Sequence, residues 1–413
     1  MPRRTTLRLA FTAFTVAQLI SILGDRLHQF SVIGMIGRVA PGSAFELFQF
    51  ALFIHLPILL FAPLFGRLID RADRAIVLVV VDVFRGLIVV GIPFFYHLTG
   101  SLYAFYITAF FLSLANLLFA PAKSAAIPEY FGRLRLLRIN AILWGLGIVG
   151  TIGGFVIGGW FFDYFTWELS FYSDAASYLV SVVFLLPLLW LPRKRRPPAP
   201  EDAAAPAAAH RRAIGGPSGS FREALALIRS DKRVAYGMIL QTCLMGVFGV
   251  LYVVGIARIQ EVLPAGKAIY FSAVAVSGTV GLLLGSVVTE VSQERIGIGR
   301  LISASTVVLG LAMVGVSQSH TLAAFIAWTF VMGFFFSPIM VVSETLLQIH
   351  TPEGFRGRVF AAREVAVKIA FLATSFLATL CAVVVDKSVV ILVTGVLLAV
   401  VSVWVERKNY LRM

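Results

Sequence analysis

Charged residues are scarce in this 413-residue chain, where they make up 14% of the sequence, against about 25% in soluble domains. Hydrophobic residues make up 59%. This composition excludes a soluble globular enzyme. The apolar residues form repeated runs of about 20 residues, and a run of that length can cross a hydrocarbon core of roughly 30 Å as a helix. The chain is therefore predicted to be an all-α polytopic membrane protein.

Cysteine is also scarce, with two residues, Cys243 and Cys381, that both lie inside apolar runs. Neither belongs to a C-x-x-C pair or has a His-rich partner segment, which argues against a disulfide framework and a zinc site. The sequence also lacks the G-x-x-x-x-G-K-S/T loop of nucleotide-binding proteins and the H-E-x-x-H and G-x-S-x-G patterns of hydrolases. We therefore expect no metal, no cofactor and no enzymatic activity.

Twelve apolar runs are long enough to span a membrane. We predict spans at residues 9–37, 44–66, 75–97, 102–127, 137–162, 168–191, 234–262, 268–291, 301–317, 321–347, 359–385 and 389–406. Of the 35 Lys and Arg residues, 28 lie on one side of the predicted spans and 4 lie on the other side. This tally counts Lys123 with the loop after the fourth span. The positive-inside rule then places both termini in the cytoplasm. The net charge of +14 thus reflects topology and not affinity for nucleic acid.

The connection between the sixth and seventh spans differs from the other loops. Residues 192–220 are rich in Pro, Ala and Gly and cannot bury enough apolar surface to fold. The segment Phe221–Arg233 that follows has the pattern of an amphipathic helix lying on a membrane surface. We predict an N-terminal six-helix bundle at 1–191, a cytoplasmic linker with this helix at 192–233, and a C-terminal six-helix bundle at 234–413.

The loop between the second and third spans runs from Gly66 to Arg74 and reads G-R-L-I-D-R-A-D-R. Its glycine permits close helix approach, and Asp70 can bind a helix N-terminus or an arginine, so the loop suits a contact that forms and breaks. The loop resembles the major facilitator superfamily signature G-x-L-x-D-R-x-x-R. The resemblance covers nearly the whole chain and implies two six-helix bundles that act as a secondary transporter. The residues expected to form a conformational latch are Gly66, Asp70, Arg71, Arg74, Asp82 and Arg85.

A glycine-rich stretch lies in the fifth span. Gly150, Gly154 and Gly158 fall on one helical face, where they allow helices to pack backbone to backbone. Together with Gly159, they resemble the antiporter signature G-x-x-x-G-P-x-x-G-G of the same superfamily, except that Phe155 replaces the proline. This resemblance implies export by antiport.

Other segments resemble one subgroup of the superfamily, which contains enterobactin exporters, macrolide efflux proteins and lysophospholipid transporters. These segments are Asp82–Arg85, Ala120–Ser124 and Gln348–Glu353. The substrates of this subgroup are diverse, so the resemblance does not name the cargo. A second copy of the loop signature is expected between the eighth and ninth spans. The sequence there matches it only weakly, at Gly285, Glu290, Arg295 and Arg300.

Asp25 lies near the middle of the first span, with Gln18, His28 and Gln29 at helical spacings that put them on or near its face. A charge at the bilayer centre costs at least about 2.5 to 3.5 kcal/mol, so it needs a partner or a wet cavity. Burial raises the pKa of a carboxylate, and a nearby cation lowers it, so one carboxylate can exchange a proton for a cation. We therefore hypothesise that Asp25 binds the coupling proton or a cationic cargo. A structural ion pair is the alternative. A divalent-cation site with His28, of the kind found in ferroportin-type exporters, has too few ligands.

Two further sets of charges lie at membrane depth. Asp82 and Arg85 are three residues apart, and Glu364 and Lys368 are four apart. This spacing predicts a salt bridge within one helix for each pair. Both are therefore interpreted as structural pairs.

Glu344 in the tenth span has no obvious local partner. A gating or cavity role and a contact with the loop that contains Arg356 and Arg358 both stay open. The other residues that could line a path, each alternatively a helix-to-helix hydrogen bond, are His55, Asn116 and Asp174.

The combined features predict a secondary active transporter that works by alternating access. We expect proton-coupled export of amphipathic or lipophilic small molecules, of the drug or siderophore type, from the cytoplasm. A lysophospholipid flippase is the alternative, followed by a divalent-metal exporter, an intramembrane enzyme and a non-transporting membrane protein. The expected partners are a small-molecule or lipid-like substrate, protons and membrane lipids, and we expect a monomer in a bacterial inner membrane.

Overall fold

The computed structural model describes residues 2–71, 73–131, 136–190, 226–264, 267–352 and 355–407. In these ranges the chain is helical, with short turns between the helices and no β-strand. Helices are the expected outcome for such apolar runs, because a hydrocarbon environment offers no hydrogen-bond partners to the backbone and each span must satisfy its own N–H and C=O groups.

The described residues of the first half form six long helices. They are α1 (Pro2–Val39), α2 (Ala44–Arg71), α3 (Arg74–Thr99), α4 (Tyr103–Phe131), α5 (Leu136–Tyr164) and α6 (Trp167–Leu185), which the one-turn helix Pro187–Trp190 extends.

The described residues of the second half form six more helices. They are α7 (Lys232–Val262), α8 (Ala268–Ile296), α9 (Ile298–Ser317), α10 (Leu322–His350), α11 (Arg356–Val384) and α12 (Lys387–Arg407). In α7, a π-helical turn at Leu251–Gly255 separates two α-helical segments, Lys232–Val250 and Ile256–Val262.

Ten of these helices, α2 to α11, are long and apolar enough to cross a membrane. The other two are α1, which Asp25 and Arg26 interrupt, and α12, whose described apolar stretch Lys387–Ser402 is shorter. The twelve helices coincide with the twelve predicted spans to within a few residues at most ends, although α1 begins earlier. The prediction of an all-α polytopic membrane protein is confirmed.

Turn residues define several helix boundaries. The Asp73 side chain accepts a hydrogen bond from the backbone N–H of Ala75 (3.1 Å) and so caps the start of α3. Gly100 ends the same helix at φ 64°, a conformation that glycine adopts without strain. Gly297, at φ 80°, is the single residue between α8 and α9. The weak second copy of the loop signature thus coincides with a connection of minimal length.

The chain divides into two compact units. The first comprises Met1–Pro197 and Ala265–Ala273, and the second comprises Pro198–Pro264 and Val274–Met413. Residues 192–225, which hold most of the predicted linker, lie outside the described residues. Residues 226–230 are helical, and Ile228 packs with Val234, Leu347 and Val359 of the second unit.

Within the first unit, α1 packs against α5 and α6, α3 packs against α4 and α6, and α2 packs against α4. Within the second unit, α7 packs against α10 and α11, and α9 packs against α10 and α12. In the first unit, this arrangement brings the polar residues of α1, α3, α4 and α6 near one another.

Candidate functional site

Helices α1 and α6 approach closely at Gly24. A β-carbon at this position would lie 2.6 Å from Asp174 Oδ1 and closer still to Ser177 Oγ. Such a distance is shorter than any van der Waals contact, so the crossing accepts glycine alone. The close approach brings the polar residues that follow Gly24 on α1 against those of α6.

His28 of α1 and Asp174 of α6 form the deepest polar contact of this crossing. His28 Nδ1 lies 3.1 Å from Asp174 Oδ2, and the two residues are 5% and 0% exposed. The Phe171 ring packs edge-on against the imidazole, with the ring centroids 5.3 Å apart. Neither ring nitrogen of His28 and neither carboxylate oxygen of Asp174 has a hydrogen-bond partner of good geometry among the described residues, so the contact is an electrostatic one.

Asp25 is bound by a different residue of α6. The Tyr178 hydroxyl donates a hydrogen bond to Asp25 Oδ1. Tyr178 is buried, whereas Asp25 is half-buried and so the more accessible of the two. The neighbouring Arg26 instead donates to Gln29 Oε1 (2.8 Å), and its guanidinium lies 5.7 Å from the Phe155 ring centroid. The Asp25 carboxylate therefore has its hydrogen-bond donor on α6 and not in the adjacent arginine.

Asp82 and Arg85 form the intrahelical salt bridge of α3, with Arg85 Nη1 3.2 Å from Asp82 Oδ1. The pair also has partners on other helices: the Ser181 hydroxyl of α6 donates to Asp82 Oδ2 (2.7 Å), and Arg85 Nη2 donates to Asn116 Oδ1 of α4. Both charged residues are almost fully buried. Such a pair is stable only when further hydrogen bonds compensate for the lost hydration, which Ser181 and Asn116 supply.

Lys123 of α4 completes the set, and sequence reasoning missed it. The predicted span 102–127 contains Lys123, as does the candidate span Tyr103–Ile127 of the structure, but the tally of basic residues counted it with the following loop. Within that span it interacts electrostatically with Asp25, Asp82 and Arg85. Tyr178 was missed as well, because no local spacing links it to Asp25, which lies 153 positions earlier. The signal for Lys123 was present in the Ala120–Ser124 segment but was not used.

These residues form one charged cluster, which we call the first-unit network. Its members are Asp25, His28, Asp82, Arg85, Lys123, Asp174 and Tyr178. Asp25 interacts electrostatically with both other carboxylates of the network. Three carboxylates face Arg85 and Lys123, so the network carries one uncompensated negative charge when all five of these groups are ionised and His28 is neutral. Because an unbalanced charge is costly at this depth, the network is suited to bind one further positive charge.

The remaining predicted polar residues occupy separate places. Gln18 of α1 is buried, and its Nε2 has no hydrogen-bond partner among the described residues. Gln29 accepts the hydrogen bond from Arg26, and Asn116 accepts the one from Arg85. His55 is half-buried in α2.

Glu344 belongs to a second cluster, in the second unit. Arg363 of α11 donates to Glu344 Oε2, as does Gln241 Nε2 of α7 at 2.8 Å. Arg363 also pairs with Glu364, which interacts electrostatically with Lys368. We call Glu344, Arg363, Glu364 and Lys368 the second-unit network. The structure thus assigns Glu344 the partner Arg363, one turn beyond the loop residues considered from sequence, and the charges balance.

The predicted latch is described in part. The side chains of Gly66, Asp70 and Arg71 lie outside the described residues, although the backbone there continues α2. Arg74 Nε lies 3.7 Å from Glu129 Oε2 and so connects the start of α3 to the end of α4. The other two latch candidates, Asp82 and Arg85, belong to the first-unit network.

The glycines of α5 face α1. β-Carbons at Gly150, Gly154 and Gly158 would lie 2.9, 2.6 and 3.2 Å from the nearest atoms of α1. Gly159 instead faces Ser272 within the first unit. Phe155, which replaces the signature proline, packs on Phe30 with the ring centroids 4.6 Å apart. This packing fixes α1, the helix that carries Asp25 and His28, against its neighbour.

Comparisons with known proteins are consistent with this architecture. A family model described as Major Facilitator Superfamily matches residues 5–317. The "Uncharacterized MFS-type transporter YfiS" of Bacillus subtilis (strain 168) is 25% identical over 362 residues, covering 86% of this chain and 82% of that protein.

Solved structures show the same fold. A bacterial homologue of the iron transporter ferroportin in an inward-facing state aligns with a TM-score of 0.68 at 15% identity, covering 96% of this chain and 98% of that chain. The nucleoside transporter NupG aligns with a TM-score of 0.67 at 15% identity over the same shares. A POT family transporter in complex with 5-aminolevulinic acid aligns with a TM-score of 0.64 at 12% identity, covering 95% of each chain. At these identities the likeness concerns the fold alone.

Proposed function

The chain belongs to the Major Facilitator Superfamily and is a membrane transporter, and we propose that it exports amphipathic or lipophilic small molecules from the cytoplasm in exchange for protons. The transport cycle follows the alternating access expected of this fold. Lipophilic cations are the cargo class that the first-unit network favours.

The charge imbalance of the first-unit network is the observation that carries the proposal. Its three carboxylates exceed its two basic residues, Arg85 and Lys123, by one, and the imbalance is removed either by a proton or by a monovalent cationic cargo. Asp25 is half-buried, whereas Asp82 and Asp174 are both 0% exposed, so Asp25 is the carboxylate that a cargo can reach. A site that accepts one positive charge from either source exchanges one for the other.

Aromatic rings around the network support a lipophilic cargo. The Phe119 ring centroid lies 4.3 Å from the Arg85 guanidinium carbon, and Phe171 packs against both His28 and Phe105. Ring faces attract organic cations without the hydrogen bonds that sugars or phosphates need. The described part of the first-unit network presents few such polar groups beyond those already paired.

The glycines of α5, which resemble the antiporter signature, support antiport as the mode of transport. The excess of basic residues on one side supports an orientation with both termini cytoplasmic, and the short loops and the 413-residue length suit a bacterial inner membrane. We further propose that the transporter acts as a monomer, as is usual for this fold.

The experiment uses the purified full chain in proteoliposomes with an imposed pH gradient. Tetraphenylphosphonium, a siderophore, a lysophospholipid and a divalent metal are offered in turn to wild type and to Asp25→Asn. We expect tetraphenylphosphonium to move protons through wild type and not through Asp25→Asn. Glu364→Gln is the matched control, since it makes the same chemical change at an exposed carboxylate of the second unit.

Two results would contradict the proposal. Lysophospholipid movement that is independent of the gradient, together with no cation-driven proton flux, would favour the flippase. Equal flux through wild type and Asp25→Asn would remove Asp25 from the mechanism. Metal export is not proposed, since no group of three or more His, Cys, Asp or Glu side chains among the described residues could hold a metal ion.

A further inference from the structure

We propose that the His28–Asp174 pair is the proton-binding site and that it holds one proton per transport cycle, while Asp25 faces the cargo. The inference rests on the proposed function and divides its two tasks between different residues. It also predicts that exchange of one proton for one monovalent cation moves no net charge across the membrane.

The three carboxylates of the first-unit network differ in how well they are satisfied. Asp82 is paired with Arg85 and accepts a hydrogen bond from Ser181. Asp25 accepts a hydrogen bond from Tyr178 and interacts with Lys123. Asp174 is 0% exposed and has the imidazole of His28 at 3.1 Å, and it interacts with Arg85 at longer range, but no hydrogen bond to its carboxylate is seen among the described residues. Buried polar groups are normally fully paired, so this pair is the least satisfied part of the network and the one that lacks a positive charge.

The positions of the two His28 ring nitrogens indicate which atom takes up the proton. His28 Nδ1 lies 3.1 Å from Asp174 Oδ2, and both ring nitrogens are buried without a hydrogen-bond partner among the described residues. A proton added at Nε2 therefore breaks no hydrogen bond seen in the structure. It converts a neutral imidazole beside a buried carboxylate into an imidazolium–carboxylate pair.

The charged and titratable groups around His28 come from all the helices of the network. Asp174 of α6 contacts His28 directly and interacts with Asp25 of α1 and Arg85 of α3, while Asp82, Lys123 and Tyr178 are connected to the pair through these residues. Arg26, also on α1, donates to Gln29. The other two helices packed on α1 have described carboxylates with partners elsewhere: Asp163 of α5 accepts from the backbone of Ala268 and Ile269, and Glu46 of α2 accepts from Tyr106. With His28 protonated, the sum over the network is zero.

The coupling follows from this sum. A monovalent cation at Asp25 supplies the same missing charge as the proton on His28, so both together would leave the network with an excess positive charge. Binding of one therefore favours release of the other, and the effect is reciprocal. The loaded network has the same net charge whichever of the two it holds, which makes the exchange electroneutral.

The first test measures proton release. Tetraphenylphosphonium is added to the full chain in nanodiscs in weakly buffered solution with a pH indicator. We expect wild type and Glu364→Gln to release up to about one proton per cation bound, with the release followed across a series of pH values. We expect His28→Gln to bind the cation with little or no proton release, and Asp25→Asn to bind it at least about tenfold more weakly.

The inference would be overturned if His28→Gln released as many protons per bound cation as wild type. It would also be overturned if wild type released about two protons per bound cation. Should His28→Gln fail to fold, Asp174→Asn tests the same pair. The wild-type protein alone gives an independent readout, because its apparent affinity for the cation should change about tenfold per pH unit where one proton is displaced. A pH-independent affinity would overturn the one-proton site.

The second test measures electroneutrality in proteoliposomes with the membrane potential clamped by potassium and valinomycin. We expect the protein-dependent exchange of tetraphenylphosphonium, which is the flux above that of protein-free liposomes at the same potential, to follow the pH gradient and not the clamped potential. Exchange that follows the potential would overturn the one-to-one count while leaving proton-coupled export in place. If wild type neither binds nor moves any of the four probes, the proposed function itself fails.

Discussion

Gly24 and Asp174 are so close that a β-carbon on residue 24 would lie 2.6 Å from the Asp174 carboxylate. Residue 24 lies one helical turn before His28, the ring that contacts the same carboxylate. The missing side chain on α1 therefore lets α6 bring a buried acid within reach of the imidazole. The small residue and the ionisable pair are parts of one arrangement.

Gly24→Ala should separate α1 from α6 and weaken the His28–Asp174 contact. Overpacking of this kind costs about 1 to 3 kcal/mol in the free energy of unfolding, and we expect a lower thermal midpoint together with reduced proton release on cation binding. Gly147→Ala is the matched control, because a β-carbon there meets nothing within 4 Å. Equal thermal midpoints for the two variants would contradict the prediction.

Arg85→Gln should destabilise the first unit strongly. It leaves Asp82 buried without its cation, and loss of one partner of a buried ion pair costs about 3 to 5 kcal/mol. The double variant with Asp82→Asn removes both charges and should recover most of the stability. Thermal unfolding of the purified single and double variants measures this, and a double variant as unstable as Arg85→Gln would show that the charge of Asp82 is not the cause.

The helices and the intrahelical salt bridge were predictable from the sequence. Apolar runs set the span lengths, and the spacing of Asp82 and Arg85 depends on one helix only. Partners on different helices were not predictable in this way. The spans are apolar on most of their surface, so no periodicity shows which face of α1 or α6 turns inward, and the Asp25–Tyr178 and Glu344–Arg363 contacts could not be derived.

Lys123 illustrates a second limit. A basic residue near a helix end is normally a topology signal, and the positive-inside tally treats it so. Lys123 interacts with the acids Asp25 of α1 and Asp82 of α3, so only the packed bundle shows that Lys123 has partners on other helices. A tally of loop charges cannot distinguish these two uses.

Lys123→Gln should raise the affinity for a cationic cargo. Removing this cation leaves the network with two uncompensated negative charges when His28 is neutral, and at an effective dielectric constant of about 20 a nearby unit charge contributes enough for an increase of about tenfold or more. Titration of the nanodisc-embedded protein with tetraphenylphosphonium measures the affinity. Lys123→Arg keeps the charge and should bind like wild type, and an unchanged affinity in Lys123→Gln would place Lys123 outside the network.

Removal of the charges from the second-unit network should leave proton coupling intact. Glu344 and Glu364 are balanced by Arg363 and Lys368, so this network has no place for an exchangeable proton. The double variant Glu344→Gln with Arg363→Gln keeps that balance, and we expect its pH profile of tetraphenylphosphonium transport to match wild type. Arg363→Gln alone should lower the thermal midpoint, since it leaves Glu344 without a cation, with the amides of Gln241 on α7 and of Gln348, a local partner that the sequence analysis missed, as donors. A pH profile of the double variant that shifts as far as that of His28→Gln would show that coupling depends on both units, and the charge deficit of the first unit would then not explain where the proton binds.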